Sequence, residues 1–336
     1  MKGCVFIKKF SFSLFLITFI FILSPVNTFA NTDPKEIDSI DLPKLTEEEF
    51  ERFEKQLDEL DVTIFEDVEL ENNKNNFSTS ANHPFDSISI VGEELPYINK
   101  MGLPDFNYDK TEEFVTPFNA QRDRINNTNI NPYNRTVRIQ ILTDSNQASS
   151  CSGFFATQNH VVTAAHCVYD AYNDRFNQAF LVLPAQNGTN YPYAPLPVTN
   201  AWITSGYANT SPSSPGMISL GDVTYDFAVL RVDGNHPHNL NVTSTNNQGA
   251  TINAIGYPGD GTELVNGYPA WFMFRNPGLI ESFAFGALIH NANVSSGQSG
   301  GPVLIGTNAV TVNSTANWGP HFSNYHLNVL NNWFGQ

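Results

Sequence analysis

A chain of 336 residues with 41% hydrophobic side chains can build one large or two modest cores, which excludes a disordered tail and a disulfide-stapled miniature. Its 33 acidic against 17 basic residues, a formal charge of −16, exclude a surface built to hold nucleic acid, because phosphate binding needs clustered Lys and Arg. The charge is segmental: residues 1–30 carry three Lys and no acid, residues 31–114 carry 23 acids and 7 bases, and residues 115–336 carry 10 acids and 7 Arg.

Residues 1–30 read as a secretory signal peptide. Lys2, Lys8 and Lys9 precede an apolar run from Phe10 to Leu23, and a short polar stretch after Pro25 ends at Thr28-Phe29-Ala30, where cleavage is expected. The alternative is a membrane anchor, but Ser11, Ser13 and Thr18 interrupt a run that is already short for a bilayer. Cys4 leaves with the signal, and Cys151 and Cys167 remain in an oxidising compartment, where an even pair reads as one disulfide rather than two buried thiols.

Residues 31–114 form an acidic segment. Thr46 and Glu49 make a capping-box pattern and Phe50, Phe53, Leu57 and Leu60 recur at helical spacing, so a helix is predicted at 46–60 that either covers the next domain or is merely a solvated spacer. Beyond Val115 short apolar runs alternate with Asn, Gly, Pro and Ser. Strands are predicted at Val137–Leu142, Gly153–Thr157, Val161–Thr163, Ala179–Leu183, Phe227–Val232, Thr251–Ile255, Trp271–Phe274, Pro302–Ile305 and Ala309–Val312. Many short strands with turn residues between them indicate an all-β sandwich or barrel. A closing helix is predicted at Asn324–Phe334.

Three local motifs carry chemistry. In Gly297-Gln298-Ser299-Gly300-Gly301-Pro302, glycines on both sides of a serine allow a tight turn that exposes the hydroxyl and aims the N–H groups of Gly297 and Ser299 at a developing oxyanion. The same residues also suit a plain turn between strands. A hydroxyl needs a base, and His166 in Val161-Val162-Thr163-Ala164-Ala165-His166-Cys167 ends a strand in a turn of small residues. A lone His beside a disulfide is otherwise structural, and two Cys with one His match no closed zinc pattern. Asp226, at the mouth of the apolar strand Phe227-Ala228-Val229-Leu230, is the candidate to orient the imidazole; otherwise it is a turn acid, while Asp222 and Asp233 beside glycines look solvated.

Together these motifs, in the order His, Asp, Ser, resemble the trypsin-like, chymotrypsin-fold serine endopeptidases, and within them the bacterial V8-like glutamyl endopeptidases. Arg124-Ile125-Asn126-Asn127-Thr128 leading to Pro132-Tyr133, Asn187-Gly188-Thr189 before Tyr191-Pro192-Tyr193, and Ile255-Gly256-Tyr257-Pro258-Gly259-Asp260 carry the likeness to that branch. The resemblance spans 115–336. It implies two six-stranded antiparallel β-barrels with a C-terminal helix, with His166 and Asp226 from the first barrel and Ser299 from the second. It also implies a secreted peptide-bond hydrolase that works through an acyl-enzyme and needs no metal or cofactor. Residues 31–114 become a removable pro-segment, cut at Glu113-Phe114 or Phe114-Val115, and the protease is expected as a monomer. Its partners are peptide or protein substrates and its own pro-segment, with no nucleic acid and no membrane after signal removal.

The chain departs from the branch at its pocket. Asn313, in Val310-Thr311-Val312-Asn313-Ser314, stands where the glutamyl enzymes place a histidine, and Val294 stands where they place a small hydroxyl residue. Neither supplies positive charge, so strict glutamate specificity is not expected, although Ser295, Ser296 or Ser314 can offer hydroxyls. Gln298 replaces the aspartate that pairs with the new N-terminus in animal trypsins. A silenced, protease-fold binding or adhesion protein is the alternative reading, and it predicts a lost triad member. The 37 residues after Ser299 suit closing strands rather than a further peptide-binding module.

Overall fold

A computed structural model of the chain describes residues 87–91, 122–143, 147–213, 217–265, 268–315 and 317–336. The expected signal peptide and the helix at 46–60 lie outside the described residues. In chain order the first strands are β1 (Ser87–Val91), β2 (Asp123–Arg124), β3 (Thr136–Leu142), β4 (Ala148–Phe155) and β5 (His160–Thr163). There follow β6 (Tyr169–Asp170), β7 (Arg175–Phe176), β8 (Ala179–Pro184), β9 (Leu196–Thr204) and β10 (Ala228–Val232). The second half adds β11 (Asn241–Val242), β12 (Thr251–Gly256), β13 (Glu263–Val265), β14 (Tyr268–Ala270) and β15 (Phe274–Ala284). It ends with β16 (Ala287–His290), β17 (Pro302–Ile305), β18 (Asn308–Val312), β19 (Trp318–Pro320) and a helix at Asn324–Phe334, over the range its apolar spacing predicts.

The first sheet runs β9-β10-β5-β4-β3-β8 and closes on itself through a β9–β8 pairing, giving a six-stranded barrel. Strand β3 shows why it closes around a core. Val137, Ile139 and Ile141 alternate into the barrel with Phe155, Val182 and Leu230, while Thr136, Arg138 and Gln140 take the other face. The second sheet carries β18-β17-β12-β15-β16-β19, with β11 added at the β18 edge and β2 on β15. It curls around Ile252, Ala254, Ile280, Leu288, Val303 and Val310. Contrary to expectation, no ladder closes this second barrel among the described residues. Strand β19 is three residues long, and β18 meets it through the turn bond from Ser314 N–H to the Trp318 carbonyl, 2.9 Å.

A third cluster joins the two halves. Phe154, Val162, Phe227 and Val229 from the first half meet Ile255, Tyr257, Leu304 and Val312 from the second, and Val329, Leu330 and Trp333 of the C-terminal helix complete it. Trp333 lies 5.5 Å from Phe227, centroid to centroid, so the helix braces the strand that follows Asp226.

Several strands were not evident from periodicity. Strand β9 contains Pro197, Thr199 and Asn200, which blur its alternation, yet it supplies both the barrel closure and the partner of β10. Strand β15 starts three residues after the predicted Trp271 and runs through Asn276-Pro277-Gly278, which read as a turn. Gly278 is needed there, since a Cβ would sit 2.6 Å from the Ala292 nitrogen. Strand β1 lies inside the stretch expected to be a pro-segment, and it pairs antiparallel with β9 from Ser87 opposite Thr204 to Val91 opposite Asn200.

Candidate active site

His166 sits on the 3-10 turn Ala165–Cys167 directly after β5, and its side chain is 14% exposed. The Cys151–Cys167 disulfide joins this turn to β4. Asp226 follows the 3-10 turn Val223–Tyr225 and is fully buried at the start of β10. The two residues are linked twice: the His166 backbone N–H donates to Asp226 Oδ1 at 2.8 Å, and its ring Nδ1 meets Oδ2 at 2.8 Å. Ser314 Oγ also donates to Oδ2. Burial alone would raise the Asp226 pKa. The charge and ring bond of His166, the Ser314 hydroxyl and the His166 amide outweigh that effect and hold the carboxylate below its usual range. Asp226 is therefore an ionised carboxylate in a dry site. Asp233 is exposed and Asp222 is half-buried, engaged by Ser219 Oγ.

The Ser299 loop is anchored at four successive carbonyls. The Ser296 carbonyl accepts from Gly259 N–H at 2.8 Å, that of Gly297 from Ser152 Oγ at 2.8 Å, that of Gln298 from Gly301 N–H at 3.0 Å, and that of Ser299 from Ser152 N–H at 2.8 Å. In a trans peptide the N–H points opposite the preceding residue's carbonyl, so the Gly297 and Ser299 N–H groups face away from Gly259 and Gly301, which hold the Ser296 and Gln298 carbonyls. Gly297 and Gly300 have φ of +90° and +77°, which suits glycine. At Gly300 a Cβ would also lie 2.8 Å from the Ala164 nitrogen and closer still to Thr163 and Ser152. Ser299 is thus held beside the strand end that carries His166. Asn313 donates its N–H to the Gly301 carbonyl, accepts from Gly300 N–H at 2.7 Å, and precedes the Ser314 that touches Asp226.

The pocket expectations fare differently. Ser314 is no pocket hydroxyl, because it is 1% exposed and engaged by Asp226. Asn313 is likewise buried, with its Nδ2 3.4 Å from the Gln298 carbonyl and no hydrogen-bond partner for Oδ1. Val294 packs into the second core. Gln298 is buried, its amide held between Asn276 Oδ1 and Ser295 N–H. Ser295 Oγ contacts the Arg122–Asp260 pair. Two residues escaped sequence reasoning. Ser152 gave no motif signal. His290, at the end of β16, lies against Asn313; neither ring nitrogen makes a well-formed hydrogen bond, and burial pushes its pKa down to about 4 despite Asn313.

As for metals, Cys151, His166 and Cys167 lie within 4.8 Å of one another, but the sulfurs are bonded to each other and offer no thiolate. No helix among the described residues is long and apolar enough to cross a membrane.

Comparison with known proteins agrees with this geometry. A family model described as a trypsin-like peptidase domain matches residues 151–311. The chain is 28% identical over 233 residues to a glutamyl endopeptidase of Bacillus licheniformis, a match spanning 63% of this chain and 66% of that protein, just under two thirds of its length. It is 25% identical over 232 residues to a Bacillus subtilis protein named extracellular metalloprotease, spanning 64% of this chain and 68% of that one. Among solved structures, a Glu endopeptidase in complex with MPD superposes with a TM-score of 0.55 at 26% identity, covering 65% of this chain and 98% of that one. Over residues 151–311 the chain is therefore similar to trypsin-like peptidase domains, its fold is chymotrypsin-like, and its relatives include glutamyl endopeptidases.

Proposed function

We propose that this protein is a secreted serine endopeptidase whose nucleophile, base and orienting acid are Ser299, His166 and Asp226. The observation that carries the reading is the doubled His166–Asp226 link, which leaves Nε2 as the ring nitrogen turned away from the carboxylate. Ser299 Oγ bonds to the peptide carbonyl carbon, its proton passes to Nε2, and the carbonyl electron pair moves onto oxygen facing the Gly297 and Ser299 N–H groups. The imidazolium then protonates the amine as the C–N bond breaks, leaving an acyl-enzyme. Water repeats the sequence, releases the acid and restores Ser299. Asp226 stays ionised throughout and keeps the imidazole in the tautomer with its proton on Nδ1.

Secretion is supported by the N-terminal pattern and by a relative named extracellular. Removal of residues 31–114 is supported by the acid excess that stops where the likeness begins. Specificity follows the pocket: a buried amide at Asn313 and an apolar Val294 offer no cation to a glutamate, so cleavage after uncharged residues competes with cleavage after glutamate. A silent binding protein is not favoured, since all three chemical residues are kept.

The test is labelling of the processed protein by a fluorophosphonate probe. Labelling is expected for the native chain and not for Ser299→Ala, whose turnover should fall by about 10⁶-fold. A folded, processed protein that fails to label, or equal labelling of the variant, would overturn the assignment.

A further inference from the structure

Ser152 lies on β4 beside Cys151, is fully buried, and uses every polar group it has on the active-site scaffold. Its Oγ donates to the Gly297 carbonyl at 2.8 Å and accepts from Tyr257 N–H at 2.8 Å. Its N–H donates to the Ser299 carbonyl at 2.8 Å, and its carbonyl accepts from Thr163 Oγ1 at 2.8 Å. Its partners come from three separate stretches: the end of the His166 strand, the turn after β12, and the nucleophile loop, which lies 145 residues away in the chain. There is no slack around it, since a Cβ on Gly256 would fall 2.7 Å from Ser152 Oγ and one on Gly301 3.2 Å from its Cβ.

We propose that Ser152 is a positioning residue for the transition-state oxyanion: from the first barrel it sets the backbone of Gly297 and Ser299, whose N–H groups receive the charge. This rests on the peptidase reading above. A carbonyl's direction fixes ψ of its own residue, so holding the Gly297 and Ser299 carbonyls fixes the backbone on the C-terminal side of each donor residue. Gly259 and Gly301 hold the peptides on the N-terminal side. Gly297 at φ +90° lacks the steric restraint that a Cβ would impose, and without the Ser152 hydroxyl its carbonyl loses its partner in a buried site. The donors would then have to be ordered during the reaction instead of before it. Ser152 touches neither substrate nor the reacting atoms in this arrangement. Its effect appears in the transition state and not in ground-state binding.

The experiment compares Ser152→Ala with the native enzyme, both unlabelled and with active sites counted by fluorophosphonate labelling of separate samples, using quenched peptide substrates and phenylboronic acid. The boronic acid bonds to Ser299 Oγ, the serine proton passing to His166, and its tetrahedral adduct carries negative charge near the oxyanion site. Expected is a fall in kcat of roughly 10-fold to 100-fold, below the full loss of one donor, with KM unchanged and boronate affinity weakened in step with kcat. If Ser152→Ala does not accumulate as folded protein, the isosteric Thr163→Val removes the bond to the Ser152 carbonyl and should give a smaller shift of the same kind. An unchanged kcat in a folded variant, or a lowered melting temperature with boronate affinity intact, would overturn the proposal. A native protein that labels with neither probe would instead overturn the peptidase reading.

Discussion

His166 and Asp226 are joined through both carboxylate oxygens, one to the backbone amide and one to the ring, each at 2.8 Å. The aspartate therefore positions the turn carrying the histidine as well as the imidazole itself. Asp226→Asn should keep the fold and lower kcat by about 10⁴-fold, because an amide cannot hold the same tautomer. Ser314→Ala removes one hydroxyl donor to Oδ2 and should cost far less. Native-state pKa measurement would show the Asp226 carboxyl rising toward the ordinary value in Ser314→Ala.

The Cys151–Cys167 bridge closes a loop of 16 residues, worth about 3 kcal/mol in the chain-entropy model. Mass spectrometry without reduction should find no free thiol in the processed protein. A Cys151→Ala/Cys167→Ala protein should unfold at lower urea by an amount of that order, and an unchanged midpoint would contradict the role of the bridge.

Acid should weaken the fold in a defined window. His160, His236, His290 and His326 are all buried and shifted from 6.5 down to about 4, with burial the leading cause in each. Between about pH 6.5 and 4 the unfolded chain takes up protons that the native chain refuses, so stability falls as pH drops through that range. Asp226, depressed below 3.8, adds a further loss only as pH falls through its own lower value. Urea midpoints at pH 7, 5.5 and 4 should fall in that order. His290→Leu should flatten part of the slope, because its ring has no well-formed hydrogen bond to lose.

Strand β1 makes the proposed pro-segment part of the first sheet. Its register sets Ile88 opposite Ile203 and Ile90 opposite Ala201, both of which are buried in the first core, and the Thr204 hydroxyl donates to the Tyr225 carbonyl next to Asp226. Cleavage near Val115 should therefore leave residues 87–91 attached to β9 until they are displaced. Ile88→Pro/Ile90→Pro should lower the yield of active enzyme several-fold. N-terminal sequencing of the active form, with a check for a co-purifying 31–114 fragment, decides the matter. An active species beginning at Asn31 would be incompatible with removal.

Glutamyl peptides should be cut with a kcat/KM well under roughly 10³-fold above their glutaminyl counterparts, a discrimination that needs a dedicated polar partner. His290 does not supply one at neutral pH, since its buried imidazole is uncharged there. Asn313→His should raise the glutamate preference if position 313 faces the substrate side chain. No change would place the selecting group elsewhere in the pocket wall.

The features legible in the sequence were those written in local runs. The glycine-flanked Ser299, the strand leading into His166 and the acid before Phe227 each declared their chemistry within a few residues, and the helical spacing from Tyr325 to Trp333 located the last helix. Strand β3 with its alternating side chains and β17 with its continuous apolar run were readable for the same reason. Tertiary structure decided what depends on partners far along the chain. Ser152 is an ordinary strand residue until Gly297 and Tyr257 arrive, more than a hundred residues later. Ser314 changes from a pocket hydroxyl to a support for Asp226. Arg138, a polar position on β3, becomes a buried cation held by Gln140 and Gln186 and lying 4.5 Å over Trp271, its pKa pulled down to about 10 by burial. Periodicity reports which face a side chain takes relative to its own strand, whereas hydrogen bonds between barrels depend on how two sheets meet, and that relation is nowhere encoded in a local window.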